Sequence, residues 1–176
     1  MTRKITTIIV AAVMLLAFTS KGYAEALTPE LCKQKAKAAA VLVKAEGEAA
    51  YDKIKDPKGE FIFAGGEGYI WIHNLEGKML MHPIRPSLDG SGVLDMRDIN
   101  GVYLFAAMNE LVEAKGEGWV PYAWPKPGQK ESSPKVSYVV LVKHGGKNYV
   151  VGSGMYDVTA ADISKKFPGD ALYSDK

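Results

Sequence analysis

The chain of 176 residues holds one cysteine, Cys32, and three histidines; past its first two dozen residues it has no long apolar run. A lone cysteine closes no internal disulfide, so stability rests on packing, and Cys32 reads as a small buried apolar residue. The histidines and Cys32 lack metal-site spacing. Gly152-Ser153-Gly154 follows Val151, where a nucleophile elbow needs its first glycine. Gly65-Gly66-Glu67-Gly68 has neither the lysine nor the helix start of a phosphate loop. Asp95 and Asp98 pair as carboxylates, but Asp98 is explained more simply as a turn or helix-entry residue. No arrangement supplies both a nucleophile and its base. The expectation is a chain without catalysis, cofactor or metal.

What is present begins with an address. Arg3 and Lys4 precede an apolar run over 5–18, and Gly22-Tyr23-Ala24 offers small residues at a cleavage point. The run is shorter than the ~20 residues that span a bilayer. Residues 1–24 are therefore read as a signal peptide cleaved near Ala24, giving an exported periplasmic protein with no transmembrane helix after cleavage. Lipid attachment at Cys32 is disfavoured, because Pro29-Glu30-Leu31 precedes it. Cleavage removes Arg3, Lys4 and Lys21 but no acid, so the formal charge of +2 turns into a slight acidic excess. The pI of 8.5 belongs to the precursor and argues for no nucleic-acid partner. One domain over 25–166 is expected, with a short, polar, loosely held tail over 167–176.

Thr28-Pro29 opens a helix, with Thr28 at the cap and Pro29 in the first turn. Cys32, Ala36, Ala39, Val43, Gly47, Ala50 and Ile54 recur at helical spacing, predicting one long helix that ends at Asp56-Pro57. A second helix is expected from Asp98 or Asn100 to Lys115, with Gly116 as its stop. Strands over 68–73 and 78–82 flank the turn Asn74-Leu75-Glu76-Gly77, and Pro83 ends their pairing. Three more strands are expected over 118–124, 135–143 and 148–156, the last two joined at Gly145-Gly146. The fold class is α+β: a long N-terminal helix on a central antiparallel sheet of about five strands.

Several landmarks occur in a set order: Tyr69-Ile70-Trp71-Ile72, Met81-His82-Pro83, Leu88-Asp89-Gly90, Asp98-Ile99-Asn100-Gly101, Gly118-Trp119-Val120-Pro121-Tyr122-Ala123-Trp124-Pro125-Lys126-Pro127, Lys135-Val136-Ser137-Tyr138 and Gly152-Ser153-Gly154-Met155-Tyr156. This series resembles the single Cache family of extracellular sensor domains, in its second type, a PAS-like fold. The resemblance implies a helix on one side of the sheet and, on the other, a pocket for small organic ligands, often short carboxylic acids. It also implies a partner: a membrane-bound sensor kinase, chemoreceptor or transporter. Two departures stand out. Asn148-Tyr149-Val150-Val151 replaces the family's aromatic before the last strand's glycines, and family members are commonly tethered to a transmembrane receptor.

Alternation puts Tyr69, Trp71 and His73 on one strand face, and Val120, Tyr122 and Trp124 on one face of another. Trp71, Tyr122 and Trp124 either wall a pocket or are ordinary sheet aromatics under a helix; Tyr69 is the weaker candidate. Lys135 starts a strand after the proline-rich loop, where the family motif carries a lysine, which makes it the candidate anion anchor. His82 either donates to a ligand or braces the bend before Pro83. Arg85 is a second anion partner, and Tyr138 and Tyr156 each carry a hydroxyl into consideration. His73 and His144 are assigned to surface or turn positions. The leading reading is a non-catalytic small-ligand sensor domain for short organic acids. The alternative is a periplasmic accessory subunit of a membrane complex with a vestigial pocket.

Overall fold

Thr28 decides where the first helix starts. In the computed structural model, which describes residues 25–174, its hydroxyl accepts from the Leu31 N–H at 3.2 Å, and α1 runs Pro29–Glu46. Cys32, Ala36, Ala39 and Val43 are wholly buried along one face, small enough to let the helix lie close to the sheet. The single long helix expected as far as Ile54 is interrupted at Gly47. That residue has φ 61°, and the His144 ring fills the place a Cβ would take. The chain passes through a 3-10 turn, Gly47–Ala50, into the one-turn α2, Tyr51–Ile54, and Ala50 and Ile54 remain buried. His144 is thus a structural joint, its Nδ1–H donating to the Lys44 carbonyl at 2.9 Å. The expected signal peptide lies outside the described residues.

Six strands form the sheet: β1 Ile62–Phe63, β2 Gly68–His73, β3 Met79–Met81, β4 Glu117–Pro125, β5 Ser132–His144 and β6 Lys147–Tyr156. Their order is β1-β2-β6-β5-β4, with β3 also on β2, and every pairing is antiparallel. The two-residue β1 is the strand the sequence pattern did not predict. α1 covers one face of the sheet, burying Ile70, Ile72, Val142, Tyr149 and Val151. α3, Leu104–Lys115, covers the other through Leu104, Phe105, Met108 and Leu111. Among the described residues no helix is long and apolar enough to cross a membrane.

Helix α3 starts later than expected because Asp98 folds the preceding segment into a turn. Its Oδ1 accepts from the N–H groups of Asn100 and Val102 at 2.8 and 2.9 Å. Its Oδ2 accepts from Ala123 N–H at 2.7 Å, tying this turn to the outer side of β4. The tail is also held. After α4, Ala160–Lys166, Trp119 N–H donates to the Ala171 carbonyl and Tyr173 N–H to the Trp119 carbonyl, both at 2.8 Å. Asp170 accepts from Lys33 Nζ and from Trp119 Nε1 at 2.9 Å. The expectation of a loose tail therefore fails over its described part.

Candidate functional site

The strand register assembles the site. Trp71 pairs with Gly152 and Gly152 with Val139, while Tyr122 pairs with Lys135 and Lys135 with Tyr156. Directly opposed residues share a sheet face, so Trp71, Tyr122, Lys135 and Tyr156 all project toward the α3 side. Gly152 and Gly154 make room for them. A Cβ on Gly152 would strike the Trp71 ring, and one on Gly154 would strike Ser137 Oγ and Lys135 Cε. The two glycines let an indole and a lysine stem lie flat across β6.

Lys135 is 1% exposed, yet its ammonium has no carboxylate within ion-pairing distance among the described residues. It donates to Tyr69 Oη at 2.8 Å and to Tyr156 Oη at 3.2 Å. It also sits 4.4, 4.5 and 5.3 Å from the ring centres of Tyr69, Tyr156 and Trp71. Hydroxyl and π-faces soften the burial of this cation but do not neutralise it. The hydroxyl protons run away from the ammonium. Tyr156 donates to the Pro125 carbonyl at 3.1 Å, leaving Tyr69 as donor in its 3.2 Å bond to Tyr156. Beside them Tyr122 and Ser137 share a hydroxyl bond of 2.8 Å.

The segment after β3 closes the site from above. Asp89 Oδ1 accepts from the His82 N–H at 2.8 Å, and His82 Nδ1 accepts from the Arg85 N–H at 3.0 Å. The His82 ring lies 5.3 Å from Tyr69 and 6.5 Å from Trp124, and Arg85 stacks 4.6 Å over Trp124. Burial, with Lys135 and Arg85 adding their positive charge, pushes the His82 pKa down to about 3. The imidazole is therefore neutral near pH 7, with Nδ1 bare and the proton on Nε2. Trp71 Nε1 is buried and has no hydrogen-bond partner.

The structure thus brings together Trp71, His82, Tyr122, Trp124 and Lys135. Tyr138 does not belong with them. It stands an odd number of residues from Lys135 and so faces α1, where its ring packs 4.9 Å from Trp119 and lies below Lys33. Strand alternation from Lys135 would have revealed this. Tyr69 and Tyr156 rise from secondary candidates to the acceptors of the ammonium, and Ser137 was missed. His73 is not on the surface: it is fully buried, its Nε2 meets Asn109 Oδ1 at 3.0 Å, and burial lowers its pKa to about 4. A cleft of about 490 Å³, lined by Asp98, Asn100, Ser132 and Thr159, reaches Tyr122 and Lys135 from the side. A cleft of about 540 Å³ lies elsewhere, between Glu48, Lys78 and Lys147.

On a helix-backed antiparallel sheet, the chain thus presents a buried lysine, without a carboxylate partner among the described residues, amid aromatic side chains. A family model described as the Cache domain matches residues 33–168, and the chain belongs to this family, in its second type. Over 107 residues, 60% of this chain and 19% of the relative, it is 37% identical to the methyl-accepting chemotaxis protein McpP of Pseudomonas putida. Over 92 residues, 52% of this chain and 19% of the relative, it is 30% identical to the sensor histidine kinase MctS of Rhizobium johnstonii. The chain thus matches about a fifth of the length of either curated relative. Among solved structures it is similar to the periplasmic sensor domain of a chemotaxis protein, with TM-score 0.64, 34% identity, and 73% and 94% of the two chains covered. It is also similar to a Cache chemosensory domain described for carboxylic acid recognition, with TM-score 0.62, 31% identity, and 73% and 92% covered.

Proposed function

We propose that this protein is a periplasmic, non-catalytic sensor domain that binds a short organic carboxylate and acts through a membrane-bound kinase, chemoreceptor or transporter. The observation that carries the reading is Lys135, a buried ammonium without an acidic partner, whose neighbours are hydroxyls and aromatic faces. A carboxylate supplies the missing charge, and Trp71, Tyr122 and Trp124 give apolar walls for a chain of a few carbons. The carboxylic acid recognition described for a similar chemosensory domain supports the same class of ligand. Residues 1–24 serve as the export signal in this reading, and 25–166 form the Cache unit.

Calorimetric titration tests the proposal. Short monocarboxylates bind the wild type more tightly than the matching neutral amides do. Lys135→Met keeps most of the aliphatic stem and loses about 1.5–3 kcal/mol of carboxylate binding. Equal affinity of acid and amide, or full affinity in Lys135→Met, overturns the anion-anchor reading.

A further inference from the structure

The hydrogen-bonding groups left over in the site are almost all donors. Lys135 has three N–H groups, of which Tyr69 and Tyr156 take two. The Tyr69 proton goes to Tyr156 and the Tyr156 proton to the Pro125 carbonyl. Trp71 Nε1–H is buried without a partner. His82 takes the Arg85 N–H on Nδ1, so its Nε2 carries a proton with no hydrogen bond to the described residues. Tyr122 and Ser137 share one bond, which leaves one of their two protons over. The nearest carboxylates are engaged: Asp89 with the His82 N–H, and Asp98 with three backbone N–H groups. His73 Nδ1 is an unpaired acceptor, but its ring belongs to the Asn109 and Phe105 end of α3.

A plain alkanoate brings acceptor lone pairs at one end only. It satisfies the ammonium and leaves the buried indole N–H dry against a methylene, which is costly. An oxygen on the carbon next to the carboxylate meets these donors. A carbonyl oxygen there only accepts, whereas a hydroxyl would add a further proton to a site already rich in them.

We infer that Trp71 Nε1–H and His82 Nε2–H form a second reading point beside Lys135, which makes the site selective for 2-oxo carboxylates over unsubstituted ones. The inference rests on the carboxylate reading above and narrows it. Trp71 acts here as a specificity residue, and Lys135 as the anchor common to all acids.

Pyruvate and propionate are the probes, since they differ by a carbonyl in place of a methylene. Titration of the wild-type protein gives pyruvate an advantage of about tenfold or more, with lactate between the two. In Trp71→Phe, which keeps an aromatic ring and drops the N–H, the pyruvate-to-propionate ratio falls to within about threefold of unity, whatever the change in overall affinity. Equal binding of both acids by the wild type overturns the inference and leaves the carboxylate reading standing. Binding of neither overturns both. The wild-type comparison is decisive even if Trp71→Phe folds poorly, and His82→Phe supplies a second variant in which the same loss of discrimination is expected.

Discussion

His73 and His82 are both buried and both neutral near pH 7, and this has a consequence for acid stability. Their pKa values fall to about 4 and about 3 in the folded state, from an ordinary value of 6.5, chiefly through burial. Between pH 6.5 and 4 the unfolded chain binds protons at these positions and the folded chain does not. Stability is therefore complete above the ordinary histidine value and declines as pH falls through that window. Thermal melts between pH 7 and 5.5, above the range in which the ion-paired carboxylates Glu30, Glu48 and Asp170 begin to contribute, should show the midpoint dropping, and His73→Gln should flatten that slope by about half. An unchanged slope in His73→Gln would mean that the buried imidazole is protonated in the folded state. At this scale the sequence was partly legible. Alternation put Trp71, Tyr122 and Trp124 on the faces that the register brings to one side of the sheet, and Lys135, singled out by the resemblance, lies on that same side. The role of Tyr69 and Tyr156 was hidden, because it depends on β2, β5 and β6 meeting in one register, which no local pattern encodes.

Helix starts and stops followed their chemistry wherever a side chain settled the matter locally. Thr28 and Pro29 were readable because the cap lies within three residues of its partner. The start of α3 was not, since Asp98 carries both a turn signal and a helix-entry signal, and its distant partner Ala123 N–H chooses between them. Asp98→Ala removes the acceptor of three backbone N–H groups at once, so it should cost about 2–4 kcal/mol in urea unfolding. Asp98→Asn keeps an acceptor and should cost less. The joint at Gly47 makes a second test. Gly47→Ala places a Cβ at φ 61° and into the His144 ring, so it should lose about 1–3 kcal/mol. His144→Ala removes the steric part of that penalty, and the double mutant should therefore be less destabilised than the sum of the two singles. The seven-residue α4 escaped notice because its periodic signal is too short, although its cap, Thr159 with Asp162, was written in the sequence.

For the molecule as a whole, the α+β class was legible from periodicities of two and 3.6 residues, whereas the placing of α3 on the face opposite α1 came only with the structure. The held tail was not, because segment 170–173 docks through backbone bonds to Trp119 and through the Asp170 carboxylate, whose partners Lys33 and Trp119 lie far away in the sequence. Intact-mass measurement of the exported protein should find it beginning near Glu25, and retention of residues before Ala24 in most of the material would remove the export-signal reading. The way β4 is finished has its own consequence. Along its outer side, Trp119 and Ala123 spend their N–H groups on Ala171 and Asp98, while Pro121 and Pro125 have none to offer. Strands of other chains find no run of main-chain N–H groups there, so templated aggregation from this edge is opposed by the prolines, the docked tail and the Asp98 turn. A signalling partner that meets this side of the domain must recognise it by side chains and shape, because strand addition is closed to it.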